Sequence, residues 1–334
     1  MYSHARAPVR IGIAGGGTDL PAWTSKRIGR CLSLAIRKYT HAVAISRTDH
    51  QVVASYLKRD SAQAATEIAN GLIRESALLH GWEDGFEVHT LSELSSHGSG
   101  LGVSSSIAVS LAACFQQMKV LRAPHLWKLD PSTGDFSAFS QATARDAWTV
   151  EIDRLHRPIG RQDHMAAAHG GLRLYKFEQQ DATVEQSFNA AAAQWVAEHL
   201  LLVPLPAGHD SRAILSSVKD TTALESAAAA VSVALEAIEQ RSVSLLGRAL
   251  HYGSVSKRQI LGAVPAEVAS ILERVDNIPG VRGCKVAGAG GGGHIVIAHD
   301  GVHADVRAAI ERTTNLPTIA VEPDLDGVRV EGYT

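Results

Sequence analysis

Two carboxylates in the middle of the chain are spaced so that they could act together. Glu151 and Asp163 lie in the stretch EIDRLHRPIGRQDHMAAAHGG, residues 151–171. Pro158 and Gly160 break the helical pattern between them, so we expect Glu151 to end one helix and Asp163 to begin the next. Where two such helices meet, one carboxylate can hold a metal ion while the other accepts a proton. Asp163 also suits a second interpretation, a carboxylate that stabilises a helix N-terminus.

A glycine-rich segment leads into a helical pattern at residues 98–115, GSGLGVSSSIAVSLAACF. Serine is a favoured N-cap, and the first turn of a helix presents unpaired N–H groups at the positive end of its dipole. Glycines before such a turn let a phosphate chain approach the backbone, and the hydroxyls of Ser104, Ser105 and Ser106 suit a hard cation such as Mg²⁺. The segment lacks the lysine of a P-loop. It predicts an anion site, with an ordinary glycine-rich helix start as the alternative.

Three consecutive glycines, residues 15–17, follow a strand pattern in APVRIGIAGGGTDLPAW, residues 7–23. Their spacing fails the dinucleotide-binding fingerprint G-x-G-x-x-G, and Pro21 falls where the phosphate-binding helix would continue. A hydride-transfer cofactor is therefore disfavoured. Small residues can instead bring the backbone close to a ligand whose hydroxyls donate to Asp19. A plain turn is the alternative.

A third glycine-rich segment, VAGAGGGGHIVIA at residues 286–298, separates two strand patterns. Gly288 and Gly293 match the glycines of a P-loop, but His294 and Ile295 stand where its lysine and its serine or threonine belong. Five glycines in one turn carry a large entropic cost on folding, which a simple hairpin does not need. We expect close packing there against a ligand or another stretch of backbone.

The pattern around these segments indicates a mixed α+β chain. Strand patterns fall at residues 9–14, 42–47, 52–57, 86–91, 172–177, 200–204, 281–287, 294–298, 318–321 and 328–331. Helical patterns fall at residues 61–79, 104–118, 136–155, 162–168 and 302–313, with two or three more within 210–259. The polar, alanine-rich stretch 178–198 has few signals and predicts a domain boundary, which suits a chain of 334 residues.

Composition restricts the class of partner. A net charge of -2 gives no electrostatic footprint for nucleic acid or an anionic membrane, so we expect a small partner that is uncharged on average. Cys31, Cys114 and Cys284 are odd in number and outside any metal-ligand spacing, which favours free thiols in a reducing cytoplasm. No apolar run approaches the ~20 residues that cross a bilayer, and the N-terminus lacks a signal-peptide pattern. We therefore expect a cytoplasmic protein.

Taken in order, the three glycine-rich segments resemble the motifs of the GHMP kinase superfamily, named for galactokinase, homoserine kinase, mevalonate kinase and phosphomevalonate kinase. APVRIGIAGGGTDL looks like its first motif, GSGLGVSSS its second and VAGAGGGG its third, so that the resemblance covers nearly the whole chain. Within the superfamily, AGGGTDLP, SGLG-x-SSS and G-x-QD-x-x-AAA-x-GG look most like the D-glycero-D-manno-heptose 7-phosphate kinases.

The resemblance implies a two-domain fold with the active site in the cleft between the domains. Residues 1–190 would form an N-terminal domain like ribosomal protein S5 domain 2, and residues 191–334 a ferredoxin-like C-terminal domain. ATP and Mg²⁺ are implied as well. Asp163 matches the proposed catalytic base, and Arg10 occupies the place of a basic residue beside it.

The resemblance also assigns binding residues. Mg²⁺ would bind Ser104 and Glu151; Val103 stands where relatives have Gly or Ser, so Ser105 is the alternative to Ser104. The residues implied to bind the nucleotide are Gly98, Ser99, Gly100, Leu101, Gly102, Ser104, Ser105 and Ser106. The residues implied to bind the sugar are Gly15, Gly16, Gly17, Thr18, Asp19, Gly290, Gly291 and Gly292.

The implied reaction is phosphoryl transfer from ATP to the anomeric C1 hydroxyl of D-glycero-D-manno-heptose 7-phosphate, which gives the 1,7-bisphosphate in nucleotide-activated heptose biosynthesis. The alternatives are a kinase for another sugar, of the fucose or galactose type, and a catalytically silent homologue that binds sugar and ATP. The protein would act as a monomer or homodimer. The 7-phosphate needs cationic or backbone donors. The cationic candidates are Arg30, Arg154, Arg157, Arg173, Lys176, Arg212 and Lys257.

Overall fold

The computed structural model describes residues 1–95, 98–123, 136–205, 221–261, 264–288, 290 and 293–334. The strands within these ranges are β1 (Tyr2–Ala14), β2 (Gly29–Ser46), β3 (Val52–Ser55), β4 (Arg59–Ala62), β5 (Phe86–Ser92), β6 (Leu172–Phe177), β7 (Ala182–Ser187), β8 (Leu200–Pro204), β9 (Val281–Val286), β10 (His294–His299), β11 (Ile319–Ala320) and β12 (Arg329–Tyr333). The helices are α1 (Pro21–Thr24), α2 (Gly71–Leu79), α3 (Val103–Arg122), α4 (Phe136–Trp148), α5 (Gln162–His169), α6 (Ala190–Glu198), α7 (Leu224–Gln240), α8 (Val243–Leu261), α9 (Ala266–Asp276) and α10 (His303–Thr314). A 3-10 turn covers Ala65–Glu67, and a π-helical segment, Thr149–Arg154, continues α4.

The strands form two sheets, which confirms the mixed α+β class. The first sheet has eight strands in the order β12-β1-β2-β5-β3-β4, with β6 beside β2 and β7 beside β6. Its pairs are antiparallel except that of β3 with β5. The second sheet has four antiparallel strands in the order β11-β8-β10-β9. Because β12 pairs with β1, the C-terminal strand lies in the first sheet, and the division at residue 190 stays a prediction.

Strand β2 is the long central strand of the first sheet. Its first part, residues 29–34, pairs with β6, and its last part, residues 40–46, pairs with β5. Strand β1 pairs along both parts. The sequence pattern predicted only the second part, since the residues before it mix apolar positions with Arg30, Arg37 and Lys38.

A register shift in strand β1 decides which residues face the cleft. Ala5 and Ala7 pack in the core that lies against α3. After the shift between Pro8 and Val9, the strand instead turns Arg10 toward α5. An irregularity in a strand pair changes which side chains face each side of the sheet. The shift therefore places Arg10 on the face of the sheet that packs against α5.

Three apolar cores hold the layers together. The first lies between the eight-stranded sheet and helices α2 to α5, where the rings of Phe86 and Phe115 meet edge to face with centroids 5.4 Å apart. The second joins the two sheets through α6, α7 and α8, and includes Ile11 of β1 and Val296 of β10. The third covers the other face of the four-stranded sheet with α9 and α10. None of the helices in the described ranges is long and apolar enough to span a bilayer.

The predicted start of one helix was wrong. The helix predicted over residues 61–79 begins only at Gly71, where Asn70 caps it by accepting from Ile73 N at 3.3 Å. The residues before it form β4, which pairs with β3, and a 3-10 turn. The stretch 178–198, whose few signals predicted a domain boundary, holds β7 and α6, and the boundary stays a prediction. In both places backbone pairing or a cap organises residues whose apolar pattern is weak.

Ser106, in the first turn of α3, hydrogen-bonds that helix to the central strands β1 and β2 of the sheet. Its fully buried hydroxyl lies 2.9 Å from Ala7 O, 3.0 Å from Pro8 O and 2.8 Å from Thr40 Oγ1. The hydroxyl group therefore satisfies polar atoms of both β1 and β2 inside the core.

We expect Ser106→Ala to lower the free energy of unfolding by about 1–2 kcal/mol, because it leaves buried polar atoms without a partner. Equilibrium urea unfolding measures the effect. Ser232→Ala is the matched control, since Ser232 is exposed and donates only within α7. Equal stability of the Ser106 variant and the control would contradict the assignment.

Candidate active site

The three glycine-rich segments meet around one cleft of about 1060 Å³. Glu151 and Asp163, the two carboxylates singled out from the sequence, both line this cleft. So does Asp19 from the first glycine-rich segment. The structure therefore brings together side chains from positions that are more than 140 residues apart in the chain.

Buried Arg10 and half-buried Asp163 form an ion pair in the cleft. Arg10 Nε and Nη2 lie 2.7 and 2.6 Å from the same oxygen, Asp163 Oδ1. Its third nitrogen, Nη1, donates to Gly100 O at 2.7 Å, and its backbone N donates to Leu101 O at 3.0 Å. Within the described ranges the second oxygen, Asp163 Oδ2, accepts no hydrogen bond. Asp163 thus keeps one oxygen available to a hydroxyl proton, while Arg10 fixes its orientation.

Glu151 lies in the π-helical segment, where it is surrounded by donors. Ser104 Oγ donates to Oε1 at 3.0 Å, Arg157 Nη1 contacts the same oxygen, and His164 Nε2 lies 2.8 Å from Oε2. Burial alone would raise the pKa of this carboxyl. The hydrogen bond and charge of His164, the charge of Arg157 and a hydrogen bond from Ser105 outweigh burial and lower the pKa of Glu151 to about 2.

The oxygen atoms of Ser104 and Glu151 fit the hard-donor chemistry of Mg²⁺. A hydroxyl and an ionised carboxylate meet at 3.0 Å beside the glycine-rich helix start, and Mg²⁺ commonly takes only one or two protein ligands. Ser105 also lines the cleft and hydrogen-bonds the carboxylate, so the structure leaves both serines within reach. Arg157, which contacts Ser104 Oγ at 3.0 Å, supplies a positive charge at the same place.

Asp19 lies deeper in the first segment and is held by α5. Gln162 donates its backbone N to Oδ2 at 3.0 Å and its side-chain Nε2 to Oδ1 at 2.9 Å. Burial raises the pKa of Asp19, against the backbone hydrogen bond from Gln162 that lowers it. Gly160 makes this packing possible, because a Cβ there would lie 1.9 Å from the Asp19 carboxylate.

The glycines of the first segment line the cleft, whereas Thr18 does not. Gly15, Gly16 and Gly17 are all lining residues. Thr18 is buried, and its hydroxyl bonds Gly15 O at 2.8 Å and Arg30 O at 3.0 Å. The Thr18 hydroxyl thus holds the loop against β2, and the structure does not bring it to the cleft with the glycines.

Most of the second segment faces the cleft, with two exceptions. The lining residues are Gly98, Ser99, Gly100, Gly102, Ser104 and Ser105. Gly98, Gly100 and Gly102 have φ of 67°, 73° and 77°, a region that favours glycine. Leu101 and Ser106 were predicted to bind the nucleotide, but their side chains are buried in the core and beneath the sheet respectively. Only the backbone of Leu101, through its carbonyl, serves the site.

The third segment packs on the second. A Cβ on Gly288 would lie 2.6 Å from the Cα of Gly100, and one on Gly293 would lie 2.1 Å from the carbonyl oxygen of Gly98. His294 Nδ1 adds a contact of 2.8 Å with Ser99 O. The expectation of close packing against another backbone is confirmed for these glycines.

The predicted sugar-binding glycines of the third segment are not among the residues observed to line the cleft. Gly290 is buried with a φ of 105°, and in the described part of this segment it is Gly288 that lines the cleft. Gly291 and Gly292 lie outside the described residues.

Several cleft residues escaped the sequence analysis. The cleft lining also includes the apolar or aromatic residues Tyr56, Leu57, Leu91 and Ile107. Lys285 and Gln162 are further polar lining residues. The sequence carries a signal for each of these two polar residues. Gln162 directly precedes Asp163, and Lys285 is the one charged residue in the second half of an otherwise apolar strand pattern. The apolar residues carry no local signal, since they come from separate elements.

The low pKa of Glu151 predicts a pH-dependent stability. A carboxyl titrates near 4.3 in an unfolded chain and here near 2, so protons favour the unfolded state as the pH falls from about 5 to about 2. We expect Glu151→Gln to lower the free energy of unfolding at pH 7 by about 1–3 kcal/mol. The variant should also lose less stability than the parent between pH 5 and 2.

Urea unfolding at a series of pH values measures both effects. Glu273→Gln, a change at an exposed position of α9, is the control and should follow the parent curve. Parallel pH curves for the Glu151 variant and the parent would show that the carboxyl is not stabilised as its contacts indicate.

Comparison with known proteins adds to this geometry. No protein-family model matches the chain. A curated relative, the D-glycero-alpha-D-manno-heptose 7-phosphate kinase of Campylobacter jejuni, is 27% identical over 207 residues, which are 58% of this chain and 56% of the relative. The match thus spans little more than half the length of that relative.

Solved structures match over almost the full chain. A D-glycero-D-manno-heptose 1-phosphate kinase from Bacteroides thetaiotaomicron superposes with a TM-score of 0.76 and 18% identity over 99% of each chain. A mevalonate kinase gives 0.68 at 13% identity, covering 98% of this chain and 97% of its own. The galactokinase of Lactococcus lactis, complexed with galactose, gives 0.66 at 15% identity over 98% and 95%. The chain therefore has the fold of these sugar and mevalonate kinases, and part of its sequence is similar to a heptose 7-phosphate kinase.

Proposed function

We propose that this protein transfers the γ-phosphoryl group of ATP to the anomeric C1 hydroxyl of D-glycero-D-manno-heptose 7-phosphate, giving the 1,7-bisphosphate. The observation that carries the proposal is the Arg10–Asp163 pair. It joins the glycine-rich helix start at Gly100 to the helix that holds Asp19. Asp163, with one free carboxylate oxygen, is thus linked to two neighbours. One is the segment at Gly100, which suits an anion, and the other is Asp19, whose carboxylate can accept hydrogen bonds from hydroxyl groups.

The nucleotide is expected along the second glycine-rich segment. Gly98, Gly100 and Gly102 line the cleft, and α3 begins directly after them. Unpaired N–H groups and the positive end of a helix dipole stabilise phosphate oxygens. The apolar end of the cleft, with Tyr56, Leu57 and Leu91, suits the flat face of a nucleobase.

The acceptor sugar is expected between the first segment and α5. Gly15, Gly16 and Gly17 present backbone at the cleft surface, and Asp19 offers oxygens to sugar hydroxyls. Asp163 Oδ2 then accepts or orients the proton of the attacking hydroxyl. Arg10, which binds Oδ1, holds this carboxylate in place and brings positive charge to the transferred group.

Magnesium would be held by Ser104 and Glu151, with Ser105 as the alternative serine. When bound, it supplies charge that neutralises the phosphate oxygens of the nucleotide. The depressed pKa of Glu151 keeps its carboxylate ionised, as a metal ligand must be. Arg157 contacts the same carboxylate and adds positive charge for those oxygens.

The cell compartment, the domain division and the oligomeric state are part of the same proposal. Cys31, Cys114 and Cys284 are free and buried, which suits a reducing cytoplasm. We also propose the two domains 1–190 and 191–334 for the chain, working as a monomer or homodimer.

We expect Asp163→Asn to lower kcat about 10²- to 10⁴-fold with little change in KM for ATP, because the amide cannot accept the hydroxyl proton. Steady-state kinetics with a circular-dichroism check of folding measures this. Asp305→Asn changes an exposed acid on α10 and should keep the parent rate. Turnover of the folded Asp163 variant near the parent value would remove the proposed base.

A panel of acceptors with ATP and Mg²⁺ tests the substrate. We expect the highest kcat/KM for D-glycero-D-manno-heptose 7-phosphate, with free heptose, fucose and galactose well below it. Phosphorus NMR of the product should show a new phosphate coupled to the anomeric proton. Phosphate on a primary carbon, a preference for an unphosphorylated sugar, or ADP formation that no sugar stimulates would each overturn the assignment.

A further inference from the structure

Two lysines at the acceptor end of the cleft stand out because of their burial. Lys257, on α8, and Lys285, on β9, both line the cleft. Lys285 is only 5% exposed. Its Nζ donates to Ile13 O at 2.8 Å, and Lys257 Nζ contacts Val286 O. An ammonium group carries three N–H donors, so each lysine has donors left after its contact with a carbonyl.

Neither ammonium group has an acidic partner among the residues that the structure describes. The carboxylates nearest the chemistry are already engaged: Asp163 with Arg10, Glu151 with Arg157, and Asp19 with Gln162. Burial lowers the pKa of Lys285 to about 7, with the positive charge of Arg10 as the second cause. Burial also lowers the pKa of Lys257, followed by the charges of Lys285 and Arg10. Buried cations without an anion are costly, and a bound anion removes that cost.

The other basic residues considered for the sugar phosphate are engaged elsewhere. Arg30 pairs with Glu185, Arg154 with Glu75 and Lys176 with Glu178. Arg173 binds Gly170 O at 2.8 Å, Arg157 binds Glu151, and Arg212 lies outside the described residues. Of the sequence-based candidates that the structure describes, Arg157 and Lys257 line the cleft, and Arg157 is already paired with Glu151.

The contacts of the two lysines point to the acceptor rather than to the transferring group. Lys285 binds the carbonyl of Ile13, which lies in β1 just before the glycines of the first segment. Gly253, one helical turn before Lys257, brings helix α8 close to Lys285, since a Cβ there would lie 3.5 Å from Lys285 Nζ, in van der Waals contact. The charge required beside the transferred phosphoryl group is already present in Arg10, which contacts the nucleotide loop at Gly100.

We infer that Lys257 and Lys285 together bind the phosphate group that the acceptor sugar already carries. This inference rests on the proposed function, in which the acceptor is a sugar phosphate. Lysine ammonium groups bind phosphate as point charges, and hydrogen bonds to charged groups are stronger than those between neutral groups. The pair therefore sets the preference for a phosphorylated over an unphosphorylated sugar.

The test compares two acceptors, D-glycero-D-manno-heptose 7-phosphate and free heptose, in Lys257→Met and Lys285→Met. We expect kcat/KM for the sugar phosphate to fall about 10- to 100-fold in each variant, chiefly through KM. The value for free heptose should stay close to that of the parent. Lys176→Met, which removes a lysine paired with Glu178 outside the cleft, should change neither value.

The outcomes separate the inference from the proposed function. A parent enzyme that does not prefer the 7-phosphate overturns the proposed function. A parent that prefers it, with variants that keep the preference, overturns the inference alone. Equal losses with both acceptors would show that the lysines act on the transferred group, which also overturns it.

A second measurement needs no substitution and applies if a variant fails to fold. Acetic anhydride at pH 7.5 modifies neutral lysine amines, and peptide mass spectrometry reads the extent of modification. In the parent protein, heptose 7-phosphate should protect Lys257 from acetylation, whereas free heptose should not. Equal modification of Lys257 with and without the sugar phosphate would contradict the inference.

Discussion

The buried guanidinium of Arg10 is the interaction on which the site depends. Its side chain binds Asp163 and Gly100 O, and its backbone N binds Leu101 O, so one residue joins strand β1, the second glycine-rich loop and helix α5. At 5% exposure it cannot exchange these partners for water. The planar fork of arginine suits this role, because its donors point in fixed directions. The geometry between the second glycine-rich segment and Asp163 follows from it.

Glycine at the three loops serves two physical purposes. In the first and second segments, positive φ at Gly15, Gly17 and Gly100 lets the chain turn so that backbone lines the cleft. In the third segment, Gly288 and Gly293 let one backbone lie directly on another, which fixes the position of the second loop. A run of glycines in the sequence therefore does not by itself identify a ligand contact.

The sequence predicted the fold class and several residues of the cleft, but not the contacts between distant strands. Glu151, Asp163 and Asp19 could be singled out because their types and their neighbouring Pro and Gly breaks are local signals, and the structure places all three on one cleft. The turn of Arg10 toward α5 depends on a register shift between Pro8 and Val9, and the burial of Thr18 and Ser106 depends on strands far away in the chain. Such contacts have no local pattern. The first part of β2 and the return of β12 to β1 were missed for the same reason.

Net charge does not describe the cleft, because it averages over the whole chain. The chain carries a charge of -2, yet Arg10, Arg157, Lys257 and Lys285 all line one cleft. Each is partly or wholly removed from water, so its field acts on a ligand with less screening than a surface charge would have. Unpaired Lys257 and Lys285 lower the free energy of unfolding of the protein without ligand. An anion that pairs with them removes this cost and therefore binds more tightly. Arg10 and Arg157 have carboxylate partners, whereas Lys257 and Lys285 have none among the described residues, so an anionic ligand would pair first with the two lysines.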